Sequence, residues 1–215
     1  MRAAFYPSPP SSFYPGLAGY IETSIEDFPI ISNERRHALN RIAAYVDACV
    51  KTGKNARLTF VCTHNSRRSQ MAQIWAHTAA VWYGVPQVHT FSGGSEVTAF
   101  DVRAIRALVR AGFRIDQESR DNNSIFWVKS GPDRIPVEAF SKLYNDPVNP
   151  SEDFCAVMTC TEADRTCPMP PGAVGRVVVP YRDPKWHDDL PDEIRRYDDC
   201  CRQISAEMFW IFSRL

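Results

Sequence analysis

The chain has 215 residues, 44% of them apolar and 23% charged, with 25 Lys and Arg balancing 25 Asp and Glu. That length suits one domain with a proper core, and the charge balance leaves no global field to draw nucleic acid or an anionic membrane. No run of about 18 apolar residues occurs, so no membrane span is expected and any anion must be bound locally.

Residues 1–32 carry Pro, Ser, Phe and Tyr without a continuous apolar stretch, and read as an irregular arm rather than a secretory signal. Residues 33–215 read as one domain. Leu39, Ile42, Ala43, Val46 and Val50 recur at helical spacing from Asn33 to Val50, and Gly53 follows as a stop. Leu58 to Val61 is a short apolar run, the pattern of a buried strand, and it ends at Cys62. Helical patterning resumes from Arg68 to Val81. Val88 to Phe91 is a second strand, punctuated by Gly93-Gly94.

Thr98 with Asp101 three residues on resembles a capping box opening a helix over 99–111. A strand is expected near 124–128 and a short helix near 137–144. Phe154 to Met158 and Val177 to Val179 read as further strands, and Leu190 to Phe212 closes the chain as a long helix. Strands alternating with helices predict an α/β fold, an open parallel sheet of four to five strands with helices on both faces. Ligands in such folds sit beyond the carboxyl ends of strands, where Cys62 lies.

The seven cysteines, Cys49, Cys62, Cys155, Cys160, Cys167, Cys200 and Cys201, are odd in number for a mid-sized chain. A secreted disulfide framework favours a small protein and an even count, so a reducing cytoplasm is expected. Any disulfide formed there is transient and chemical.

Cys62-Thr63-His64-Asn65-Ser66-Arg67-Arg68-Ser69 places a cysteine and an arginine six positions apart around a loop leading into a helix. Successive N–H groups of such a loop converge on a tetrahedral oxyanion, and the helix N-terminus adds partial positive charge. Arg68 can chelate two oxyanion oxygens with its planar fork. The same positive surroundings favour a thiolate at Cys62. Ser69 can donate to the sulfur, Asn65 can hold the loop shape, and Arg67 reads as a solvated charge that attracts anions. Thr63, His64 and Ser66 complete the oxyanion-binding set.

These residues resemble the loop of low-molecular-weight protein tyrosine phosphatases and, equally, of thioredoxin-coupled arsenate reductases. Glycine is common in those families where this chain has His64, and cysteine where it has Arg67. Ser92-Gly93-Gly94-Ser95-Glu96 is similar to the Ser-Ala-Gly segment after their second strand. The segment Cys160 to Pro168 resembles the redox segment of the reductases, where a second cysteine attacks the arsenic adduct of the nucleophile and a third takes over the disulfide. The phosphatases do not carry that pair. Both families place a general acid in a late Asp-Pro pair, which Asp183-Pro184 matches. The resemblance spans about residues 57–112 and 154–190.

It implies arsenate reduction with Cys62 as nucleophile, Arg68 holding the anion, Asp183 as proton donor and Cys160 with Cys167 as the relay. Thioredoxin or a similar dithiol would be the partner. The alternative is a phosphatase passing through a cysteinyl-phosphate on Cys62. A third reading is a catalytically weak redox or phosphate-sensing regulator. No cofactor, nucleic acid or membrane is expected. Gln73 stands where some reductases have an acidic residue near a potassium ion, so no metal is expected either. Cys200 and Cys201 fit structural roles in the closing helix, Cys49 and Cys155 fall on apolar faces, and His187-Asp188-Asp189 reads as a solvated turn.

Overall fold

The computed structural model describes residues 13–119, 121–166 and 169–215. Its elements in chain order are α1 (Pro15–Glu26), α2 (Asn33–Lys51), β1 (Ala56–Cys62), α3 (Arg68–Trp82), β2 (Val88–Gly94), α4 (Val102–Arg110), β3 (Arg114–Gln117), β4 (Phe126–Lys129), β5 (Val137–Ala139), β6 (Phe154–Met158), α5 (Thr161–Thr166), β7 (Ala173–Val178) and α6 (Glu193–Phe212). Two short 3-10 turns, Phe28–Ile30 and Pro184–His187, precede α2 and α6.

The main sheet has four parallel strands in the order β2-β1-β6-β7, as the alternation of strands and helices implies. Of its two central strands, β6 is apolar and buried at every position, and β1 is buried at every position except Arg57. Successive residues of β6 serve opposite faces. Cys155 and Val157 join the larger core with residues of α1, α2, α3, α4 and α6. Phe154, Ala156 and Met158 join Val61 and Ala163 in a smaller cluster that also takes in Cys62 and Cys160. α5 lies against this second face.

Four expectations are corrected. The N-terminal arm is not irregular throughout. Residues 15–26 form α1, which starts on Pro15, a residue pre-organised for a first turn, and buries Leu17, Ile21 and Ser24 at helical spacing. Residues 137–144 do not form a helix. Val137–Ala139 instead pairs antiparallel with β4, Val137 opposite Val128. With β3 these strands make a second, three-stranded antiparallel sheet. The helix expected over 99–111 begins at Val102, and Asp101 rather than Thr98 caps it by accepting from the Arg103 N–H at 2.8 Å. The hydroxyl of Thr98 is taken by the carbonyl of His64.

Candidate active site

Cys62 ends β1, 3% exposed, and the chain leaves it as an irregular loop that reaches α3 at Arg68. Asn65 holds that loop. Its backbone is left-handed (φ 46°), a conformation Asn tolerates, and its side chain serves both sides of the turn. Asn65 Nδ2 donates to Ser69 Oγ at 2.8 Å, while Asn65 Oδ1 accepts from the backbone N–H of Lys142 at 2.9 Å. Gln70 Nε2 donates to Asn65 O at 3.1 Å and to Phe140 O at 2.7 Å.

The loop carbonyls all turn outward to donors. Thr63 O accepts from the Glu96 N–H, His64 O from the Thr98 and Ser141 hydroxyls, and Ser66 O from the Asp101 N–H. The glycine of β2 at 94 is required for this packing. A Cβ there would lie 2.6 Å from Thr63 O and 2.8 Å from Asn65 N.

The N–H groups behave oppositely. Among the described residues, none of the backbone N–H groups of residues 63–67 donates to a protein acceptor. A row of free donors at the entry to a helix is the arrangement an oxyanion needs. Ser69 Oγ lies 3.1 Å from Cys62 Sγ, within hydrogen-bond reach of the sulfur.

Arg68 and Asp183 meet across the mouth of this loop. Arg68 Nη2 donates to Asp183 Oδ2 at 2.5 Å and Arg68 Nη1 to Tyr181 O at 3.2 Å, leaving its buried Nε without a partner. The other oxygen of Asp183 accepts from the Lys185 N–H at 3.0 Å and so caps the Pro184–His187 turn. A cleft of about 700 Å³ is lined by Thr63, His64, Arg68, Cys160, Tyr181 and Asp183, with Trp186 at its edge, 77% exposed.

Cys160 belongs to this cleft through strand register. Val61 of β1 pairs with Met158 of β6, and the Thr159 N–H donates to Val61 O at 2.8 Å. Continuing that register, Thr159 stands beside Cys62, the last residue of β1, and Cys160 beside Thr63, and the two cysteines share one apolar cluster. Cys160 Sγ lies 3.6 Å from Thr63 Oγ1, on the residue next to the candidate nucleophile, and accepts from the Ala163 N–H at 3.2 Å. It is 1% exposed. Cys167 lies outside the described residues.

Two expectations fail at Arg67 and Asp188. Arg67 is not a solvated charge facing anions, since its side chain is 11% exposed and turned away from the loop. Its guanidinium donates to Asp101 at 2.6 Å, to Tyr197 Oη at 2.9 Å and to Asp188 at 3.4 Å. Asp188 is not part of a solvated turn, because it also accepts from Tyr197 Oη at 2.7 Å. The network ties the loop to α4, to α6 and to the segment carrying Asp183. No local pattern marks a partner that lies 121 positions away along the chain. His64 faces Glu96 at 3.3 Å as a surface pair. Cys200 and Cys201 are both buried, and burial pushes the Cys201 thiol up to about 11. Cys155 is buried likewise, its thiol pushed up to about 12, whereas Cys49 is only half-buried.

No family model matches the chain. An arsenate reductase of Brevibacillus brevis is 28% identical over 127 residues, covering 58% of this chain and 74% of the relative. An arsenate reductase of Bacillus cereus is 27% identical over 149 residues, covering 65% and 92%. The crystal structure of a low-molecular-weight protein tyrosine phosphatase from T. tengcongensis superposes with a TM-score of 0.50 at 16% identity, over 75% of this chain and 100% of that one, a likeness of fold.

Proposed function

We propose that this chain, similar to arsenate reductases at 27–28% identity and alike in fold to a low-molecular-weight protein tyrosine phosphatase, reduces arsenate to arsenite by a relay of three cysteines. One observation carries this reading: Cys160 opens into the same cleft as Arg68 and Asp183, one residue's contact away from Cys62. In a hydrolase Cys160 would be a packing residue of the apolar cluster, with no part in turnover.

Arsenate enters the loop of residues 62–69, held by the free backbone N–H groups and by the fork of Arg68. The Arg68–Asp183 ion pair must open for this, since the incoming oxyanion competes for the same N–H groups. Asp183, released, accepts a proton and delivers it to the departing oxygen as the thiolate of Cys62 attacks arsenic. Water leaves and a Cys62–arsenic bond stands in its place.

The Cys160 thiolate then attacks Cys62 Sγ. The sulfur–arsenic bond breaks, its electron pair stays on arsenic, arsenite departs and a Cys62–Cys160 disulfide remains. Cys167 attacks Cys160, Cys62 leaves as thiolate, and the Cys160–Cys167 disulfide is reduced by thioredoxin or another dithiol protein. A reducing compartment suits this cycle.

A phosphomonoesterase reading draws on Trp186, whose exposed indole at the cleft edge offers a face on which an aryl ester can stack. A coupled assay separates the two. Protein supplied with arsenate, thioredoxin, its reductase and NADPH consumes NADPH if the relay operates, and Cys160→Ser abolishes the consumption. Aryl phosphate hydrolysis that survives Cys160→Ser, with no NADPH consumed, establishes the phosphatase instead.

A further inference from the structure

The segment bearing Asp183 continues from β7 along the edge of the sheet. On its inner side it is pinned to β6 and to the start of the Cys160 turn: the Val179 N–H donates to Met158 O at 2.9 Å and the Tyr181 N–H to Thr159 O at 3.0 Å. The intervening carbonyl, on Pro180, points away from that ladder and needs a donor of its own. Arg35 supplies it. Arg35 Nη1 donates to Pro180 O at 2.8 Å, and the guanidinium lies over the Tyr181 ring with its central carbon 5.0 Å from the centroid.

Arg35 sits in the first turn of α2, ahead of the whole sheet in sequence, and its backbone N–H is held by the Ser32 hydroxyl. Its remaining donors form a fork onto Glu207 of α6, Nε to Oε1 at 3.0 Å and Nη2 to Oε2 at 2.5 Å, where Glu207 is 3% exposed. A bidentate pair with a buried carboxylate fixes the orientation of the guanidinium, so its third arm is aimed rather than free. The carbonyl after Pro180, on Tyr181, accepts from Arg68. A single chain of contacts thus runs from Glu207 through Arg35, Pro180 and Tyr181 to Arg68 and Asp183.

We propose that Arg35 is a positioning residue that sets the placement of Asp183 against Arg68, an inference that rests on the reductase reading above. It touches no substrate and acts only through residues 180–183. The helix α2 ahead of β1 then has a catalytic consequence, because it carries the outer clamp of the proton-donor segment.

Arg35→Met alone leaves the buried Glu207 carboxylate without its cation, held by the Gln203 amide at 3.1 Å. The test therefore uses Arg35→Met/Glu207→Met, with Arg35→Lys as a second variant whose compact ammonium lacks the planar fork that holds Glu207 and aims the third arm at Pro180 O. The expected result is a fall of about 10-fold or more in kcat for arsenate with KM changed by less than about 3-fold, since misplacement of a reacting group costs rate rather than binding. In an Asp183→Asn background the same substitutions change kcat by less than about 2-fold, the non-additivity of residues that act through one another. Amide hydrogen exchange over residues 179–186 accelerates in the variants, a readout independent of turnover. An equal loss in the Asp183→Asn background, or unchanged exchange in that segment, overturns the inference and leaves the reductase reading standing. Absence of arsenate turnover by the wild-type chain removes that reading, and the inference with it.

Discussion

The guanidinium of Arg68 and the carboxylate of Asp183 form an ion pair at 2.5 Å, so the fork that would clamp the oxyanion is held by the group that would protonate its leaving oxygen. Binding and acid catalysis are thereby linked: the anion must displace Asp183 before Asp183 can take up a proton. The linkage gives the two residues opposite signatures. Asp183→Asn is expected to bind phosphate or arsenate as tightly as wild type or tighter, because a competitor is gone, while kcat falls by about 10²-fold or more. Arg68→Lys is expected to lose about 1.5–3 kcal/mol of oxyanion affinity, the range for a hydrogen bond to a charged group. Calorimetric titration with phosphate and steady-state kinetics check both. Weaker phosphate binding by Asp183→Asn would contradict the linkage.

Arg67 is expected to matter for stability before it matters for chemistry. Arg67→Ala leaves Asp101 with an uncompensated charge, its side chain only 11% exposed, and removes one partner of Asp188. Breaking such a pair costs about 3 kcal/mol, the lower end for buried ion pairs. Urea unfolding at neutral pH measures the cost. A loss below roughly 1 kcal/mol would mean that the network is no more than a set of surface pairs.

Lys142 gives a pH-dependent signature. Burial lowers its ammonium to about 8, with Glu138 and Asp146 opposing the shift. Below about pH 8 both the folded and the unfolded chain carry the charge, and the folded state bears the full desolvation penalty. Between there and the ordinary lysine range the unfolded state binds more protons, so the penalty fades and stability rises with pH. Lys142→Met is therefore expected to gain most over wild type at pH 7, with the gain narrowing by up to roughly 3 kcal/mol toward pH 10. Unfolding of both proteins at a series of pH values tests this, and a pH-independent difference would contradict it.

Much of this was legible in sequence where a pattern is local. The apolar run of β1, the loop of residues 62–69 and the strand of β6 each carry their signal within a few residues, and the parallel sheet follows from their order. The failures have physical causes. β3 is Arg-Ile-Asp-Gln, largely exposed, and β5 is only Val137–Ala139, so neither shows enough of a period-2 pattern to be seen. Thr98 and Asp101 both suit a helix cap, and tertiary contact with His64 O decided between them. In α1, Pro15 with Leu17 and Ile21 at helical spacing is a usable signal, obscured by a composition rich in Pro, Ser, Phe and Tyr that reads as an arm. The partners of Arg67 and Arg35 lie far along the chain, and a sequence motif cannot point to them.

The central claim is that Cys160 attacks Cys62, and the most direct measurement traps that bond. A Cys167→Ser variant is incubated with arsenate without any reductant, quenched with an alkylating agent, digested and examined by mass spectrometry. The expected result is a peptide pair joined by a Cys62–Cys160 disulfide, together with a stoichiometric release of arsenite. Recovery of Cys62 and Cys160 both alkylated, with arsenate unreduced, would contradict it.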